Sequence, residues 1–126
     1  MKTATLEWIA KAEEDWSVAT SLARRRKTPV PNSVCYHCQQ CAEKYLKARL
    51  EEAGVLIFKS HDLPYLLALV APHEPLWSGM GQALLNLSQY AVKFRYPGHD
   101  ASEQQARNAL QDCRAFRKIA RAAFGL

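Results

Sequence analysis

Apolar residues recur along the chain at three- and four-residue spacings, and no segment alternates with a period of two, so the pattern predicts helices and no sheet. The strongest case is Asn32 to Gly54. It has no internal Pro or Gly and closes on Gly54, the residue that most readily turns left-handed just past a helix end. Wound at about 100° per residue, it gathers Val34, Cys35, Cys38, Cys41, Ala42, Tyr45, Leu46, Ala48, Leu50 and Ala53 on one broad face. Tyr36, Gln40, Glu43, Lys44, Lys47 and Glu51 fall on the opposite arc. A helix apolar over half its circumference belongs in the middle of a bundle, touched by several neighbours.

The other segments are arranged about it. Thr3 to Lys27 reads as a first helix with Trp8, Ile9, Ala12, Trp16, Ala19, Leu22 and Ala23 as its stripe. Its acidic residues come early and Arg24 to Lys27 end it, an order that complements the helix dipole. Thr28-Pro29-Val30-Pro31 stops that helix, and Asn32 or Ser33 is placed to cap the next. Two polar residues of the central helix, Gln39 and Arg49, project toward its apolar side and call for an interhelix or subunit partner. After a connector from Val55 to Ser60, a short helix is expected at about Asp62 to Ala71, capped by Asp62 with Pro64 in its first turn. Ser78 to Phe94 reads as a fourth helix whose start is blurred by Gly79 and Gly81, and Pro97-Gly98 then breaks the chain. Ser102 and Gln105 form a capping-box signature for a last helix running to about Phe124. The expected architecture is all-α, an up-and-down bundle of four longer helices plus one short helix in a single domain over residues 1–126.

Composition changes this picture little. The net charge of +5 mildly favours anionic partners such as phosphates or nucleic acid. The first ten residues contain Glu7 and no long apolar run, so no secretory signal is expected. Nor is a membrane span, since the longest apolar stretch, Tyr65 to Ala71, is far too short. A cytoplasmic setting follows, where thiols stay reduced, and the four cysteines read as small core residues. Cys35-Tyr36-His37-Cys38 has CxxC spacing, but the βαβ context of a redox motif is absent and zinc would need further ligands elsewhere. No metal and no cofactor are expected.

Four motifs in order bring in a family. Ala12-Glu13-Glu14-Asp15-Trp16, Gln39-Gln40-Cys41-Ala42-Glu43-Lys44-Tyr45-Leu46-Lys47, His61-Asp62-Leu63 and Arg95-Tyr96-Pro97 together resemble the HEPN ("higher eukaryotes and prokaryotes nucleotide-binding") domain over nearly the whole chain. The resemblance implies a small helical homodimer. It further implies a protein often encoded beside a minimal nucleotidyltransferase as a toxin–antitoxin pair, or else a metal-independent endoribonuclease. In some such pairs the transferase modifies a Tyr of the catalytic motif; Tyr96 stands here as a candidate only.

Two places carry candidate chemistry. In the ribonuclease branch an Arg and a His separated by four to six residues would hold the phosphate and take the 2′-hydroxyl proton. Arg95 and His99 are the candidate catalytic pair here, but only three residues lie between them and Pro97 prevents a regular helix from carrying both. That departure favours a partner role over catalysis, and a purely structural dimerisation module is the third reading. The second place is the polar arc of the central helix. Tyr36, Gln40, Lys44 and Lys47, joined by His61, Arg95 and Tyr96, offer amide, ammonium, guanidinium and aromatic groups to a nucleotide or RNA. The competing reading is a solvated helix face laced by Glu43 and Lys47.

Overall fold

The structure is a computed structural model and describes residues 1–57 and 59–126; the expected connector from Val55 to Ser60 contains Phe58, which lies outside the described residues. Five α-helices are seen among them: α1 Thr3–Ala23, α2 Pro31–Ala53, α3 Leu63–Val70, α4 Gly81–Ser88 and α5 Glu103–Ala123. No strand occurs among the described residues, and the all-α bundle expected from the periodicity is what forms.

The second helix is the axis of the molecule. It packs against α1, α3, α4 and α5, most extensively against α1. Cys35, Cys38, Cys41, Ala42, Tyr45, Leu46, Ala48 and Leu50 are all fully buried. Each such leucine contributes about 2 kcal/mol by leaving water. All four cysteines are free and buried. Gly54 ends the helix at φ 73°, a left-handed turn that Gly takes without a Cβ clash. Val55 N–H then donates to Leu50 O at 3.0 Å, and Lys2 Nζ donates to Glu51 O at 2.9 Å, so the last carbonyls are satisfied.

Several local expectations shift. α1 stops at Ala23, which is exposed, and Arg24 to Lys27 lie beyond its last turn. Neither Asn32 nor Ser33 caps α2. Pro31 takes the first turn, where its missing N–H costs nothing, and Val30 stands at the cap. The fourth rod is broken: a 3₁₀ turn at Pro75–Met80, then α4, then a second 3₁₀ turn at Gln89–Ala91. Gly79 and Gly81 hold the first turns poorly. At the other end Val92 leaves helical geometry at φ −128°, while Tyr90 and Phe94 stack at 5.4 Å, both buried. The two caps assigned to Asp62 and to Ser102 with Gln105 both form, Asp62 accepting from Tyr65 N–H. Trp77, Tyr90 and Phe94 are buried within the single chain, Trp77 edge-on to Phe116 at 5.2 Å, so they offer no surface to a second copy. No helix among the described residues is long and apolar enough to cross a membrane.

Candidate functional site

Side chains on the polar arc of α2 are drawn into three separate clusters by their neighbours. The first joins α2 to α1. Lys44 Nζ donates to Asp15 Oδ2 at 2.5 Å, and His37 Nδ1 donates to Asp15 Oδ1 at 2.7 Å. Asp15 is buried, so its charge is stabilised only because both donors reach it.

The second cluster runs along α2 to the start of α3. Gln40 Nε2 donates to Gln39 Oε1 at 2.7 Å, and Gln39 Nε2 donates to Glu43 Oε1 at 3.0 Å. The Glu43 carboxylate also accepts from Lys47 Nζ at 3.0 Å and from His61 Nδ1 at 2.7 Å. Glu43 and Lys47 are 3% and 7% exposed, which corrects the reading of them as lacing a solvated face. They form a buried pair, with the Lys47 ammonium also 5.6 Å from the centre of the Trp8 ring. Arg49 finds its partner in Glu74, in the loop after α3 and not on a facing helix, Nε to Oε1 at 2.9 Å.

The third cluster lines a groove, and the second borders another opening, of about 530 Å³, where Lys47 meets Trp8, Val55 and Ile57. Arg95, in the bend after the second 3₁₀ turn, lays its guanidinium over the Tyr36 ring at 5.6 Å from the centroid. Together with Asn32, Ser33, Tyr90 and Phe94 they line a groove of about 400 Å³. Burial pushes the Tyr90 hydroxyl pKa above the usual phenol range, with smaller upward contributions from Cys35, Asp112 and Cys38. Asn32 locks the groove's wall: its Oδ1 accepts from Ala101 N–H at 2.6 Å, and its Nδ2 donates to Asp100 Oδ1 at 3.0 Å. A guanidinium within cation–π reach of an aromatic ring, beside further ring faces, is suited to a phosphate with a base stacked next to it.

The residues named from the sequence therefore divide. Tyr36 and Arg95 come together in the groove. Tyr96 is 61% exposed just beyond it. Lys47 lies eleven residues along α2 from Tyr36, about 16 Å at the helical rise, and both Lys44 and Lys47 have their ammoniums in ion pairs. Gln40 is spent on Gln39, and His61 on Glu43. His99 is exposed past the Pro97-Gly98 turn, where Gly98 has φ 88°. Cys35 and Cys38 face the core while His37 is held by Asp15.

Sequence reasoning missed Asn32 as a tether, reading it as a cap. It also missed the polar partners of the acidic run on α1. Glu13 accepts from the Tyr45 hydroxyl and from Arg117, and pairs with the Arg121 charge at 3.2 Å. Burial works to raise the Glu13 pKa, but the hydrogen bonds from Arg117 and Tyr45 and the charges of Arg117 and Arg121 carry it below the usual carboxylate value. The signal was present in the Ala12-Glu13-Glu14-Asp15 run, where Glu13 reaches α5 and Asp15 reaches α2.

An all-α bundle built around a Gln-Gln/Glu-Lys helix, with an Arg-Tyr-Pro corner at its groove, defines a class. The HEPN domain family model matches residues 5–123, and the chain belongs to that family. Among solved structures it is similar to TT1696 from Thermus thermophilus, with a TM-score of 0.82 and 20% identity over 96% of this chain and 98% of that one. It is also similar to ST0689, an archaeal HEPN homologue, with a TM-score of 0.76 and 21% identity over 98% of each chain. At such identities the likeness speaks for the fold. None of the curated proteins compared with the chain matches it.

Proposed function

We propose that the chain is a dimeric HEPN interaction protein that binds a nucleotide or an RNA phosphate in the Tyr36–Arg95 groove and works with a separately encoded minimal nucleotidyltransferase. The observation that carries the ligand half of this reading is the Arg95 guanidinium 5.6 Å from the Tyr36 ring centroid, in a groove otherwise lined by Asn32, Ser33, Tyr90 and Phe94. Arg95 supplies charge and a planar donor fork, and the ring faces supply stacking. Dimerisation is supported by exposed apolar side chains at Leu76, Leu85, Val92 and Tyr96. The partner half rests on family membership together with the short Arg95–His99 spacing, which differs from the ribonuclease pattern.

Titration of the purified protein with ATP, followed by calorimetry, tests the ligand half. Arg95→Gln is expected to weaken binding by about tenfold or more, the size of one charge-assisted hydrogen bond. Unchanged affinity in that variant removes the groove from consideration. Incubation with total RNA in the presence of a chelator tests catalysis. RNA left intact agrees with a partner role, whereas cleavage abolished by His99→Ala makes the chain a metal-independent ribonuclease. Co-expression with a minimal nucleotidyltransferase encoded beside it is expected to yield a stable complex on size exclusion.

A further inference from the structure

The third long helix carries a row of cations that the Tyr36–Arg95 groove does not use. Arg107, Arg114 and Lys118 recur at spacings that stack them on one side of α5, and all three are exposed. The two ends of the row are eleven positions apart, about 16 Å of helix. Among the described residues none of the three is in an ion pair. Arg107 shares a cleft with Arg25, just past α1, and with Glu103, over apolar walls that include Leu22, Pro31, Val34 and Leu110. Arg25 donates to Thr28 Oγ1 at 2.8 Å and Arg107 to Gln104 Oε1 at 2.9 Å, contacts that leave both charges uncompensated.

An aromatic ring sits against this row. Trp16 of α1 is half-buried, with the Arg114 and Arg117 guanidiniums 5.6 and 5.3 Å from its ring centroid. The Arg117 charge is already met by Glu13, so Arg117 holds the ring while Arg114 stays open to a ligand. Among the described residues, no exposed large hydrophobic side chain lies on α5, or on α1 beyond Leu6. A protein interface normally has an apolar centre; here the apolar residues, Leu22, Val34 and Leu110 among them, are confined to the cleft at the Arg107 end, and none is exposed along the Arg114–Lys118 face. What the ridge offers is spaced positive charge beside a partly open indole, the combination that tracks a sugar–phosphate backbone and stacks an unpaired base.

We propose that the α1–α5 ridge is a docking face for single-stranded nucleic acid, with backbone phosphates on Arg107, Arg114 and Lys118 and a base against Trp16. The proposal stands apart from the Tyr36–Arg95 groove. A duplex fits less well, because its bases are stacked away from the indole.

The test is fluorescence anisotropy of the full chain with a labelled oligouridylate of about 12 nucleotides, from about 50 to 300 mM salt. Each phosphate contact on a single strand contributes about 0.7 to the log–log salt slope. The double variant Arg107→Gln/Arg114→Gln is expected to lose about tenfold in affinity at low salt and about 1.4 in slope. Trp16→Leu should lose about fivefold or more with its slope unchanged, because it removes stacking and no charge. Lys59→Gln/Lys93→Gln removes the same charge elsewhere and should stay close to the parent. Circular dichroism of each variant confirms the fold. Equal losses in both double variants reduce the effect to net charge and overturn the proposal. It is also overturned if the Arg107/Arg114 variant matches the parent, or if polyglutamate of equal length binds as tightly as the oligonucleotide, which would make the ridge a face for an acidic protein. Arg95→Gln leaves this binding intact, so failure here and failure at the groove are read separately.

Discussion

Arg117 grips Glu13 with two prongs, Nε to Oε2 at 2.8 Å and Nη2 to Oε1 at 2.5 Å, tying α5 to α1. The Tyr45 hydroxyl donates to the same carboxylate, and burial, with that carboxylate adding, pushes its pKa well above the usual phenol value.

Glu13→Gln is therefore expected to destabilise the fold by about 1–2 kcal/mol at neutral pH, the worth of a charge-assisted pair with part of it screened by solvent. The sign with pH follows from the lowered carboxyl pKa. The contribution is complete above the ordinary value of 4.5 and is lost as pH falls through the folded value below it. Urea unfolding of parent and variant should differ at pH 7 and converge toward pH 3. A gap that persists unchanged in acid would contradict the pairing.

Glu43 and Lys47 allow a sharper contrast. Glu43→Ala leaves the Lys47 ammonium buried beside His61 without its carboxylate, a loss of about 3–5 kcal/mol. Replacing both, as Glu43→Gln/Lys47→Met, removes the stranded charge and is expected to cost much less than the single change. Thermal or urea denaturation decides; a double variant as unstable as Glu43→Ala would show that the stranded charge is not the cause.

Asn32→Ala removes both tethers to the Asp100-Ala101 segment that follows the Arg95 corner. Amide exchange at Ala101 should accelerate by about tenfold, and stability should fall by about 1–2 kcal/mol. If Ala101 exchange is unchanged, Asn32 does not hold the corner.

In alkali the buried thiols set the trend. The Cys35 thiol is pushed up to about 12 by burial, with a smaller contribution from Cys38, against an ordinary value of 9.0. Cys113 is likewise raised, through hydrogen bonds with Cys38 and Cys41 and through burial. A raised folded value means full stabilisation below pH 9 that is lost as pH rises through about 12. The urea midpoint should fall steadily between pH 8 and about 10.5, less steeply in Cys35→Ala. A midpoint independent of pH over that range argues against protonated core thiols.

Periodicity alone disclosed the helices and the central place of α2, because burial repeats with the helical turn and Cys35, Cys38, Cys41 and Tyr45 all lie on the repeating face. It failed where tertiary contacts outweigh local pattern. Glu43 and Lys47 looked solvated because an i, i+4 pair reads the same on a surface as in an interior; only the neighbouring Trp8 and His61 distinguish the two. The fourth rod read as continuous because a hydrophobic stripe survives a change from 3₁₀ to α geometry. The groove was half legible. Tyr36 and Arg95 were both named, but Lys44 and Lys47 were grouped with them because a projection of one helix omits the acids on α1 that claim Lys44.

The broken fourth rod has a mechanical consequence. With regular α geometry ending at Ser88, the segment that follows is held to α2 at two points, Arg95 against the Tyr36 ring and Asp100-Ala101 by the Asn32 amide. The corner is thus fastened to α2 near both of its ends, and the exposed residues 95–100 between the buried Phe94 and Ala101 can be recoded without disturbing the core. The same bundle is thereby open to ligands of different reach through changes in a few residues between Val92 and Ala101.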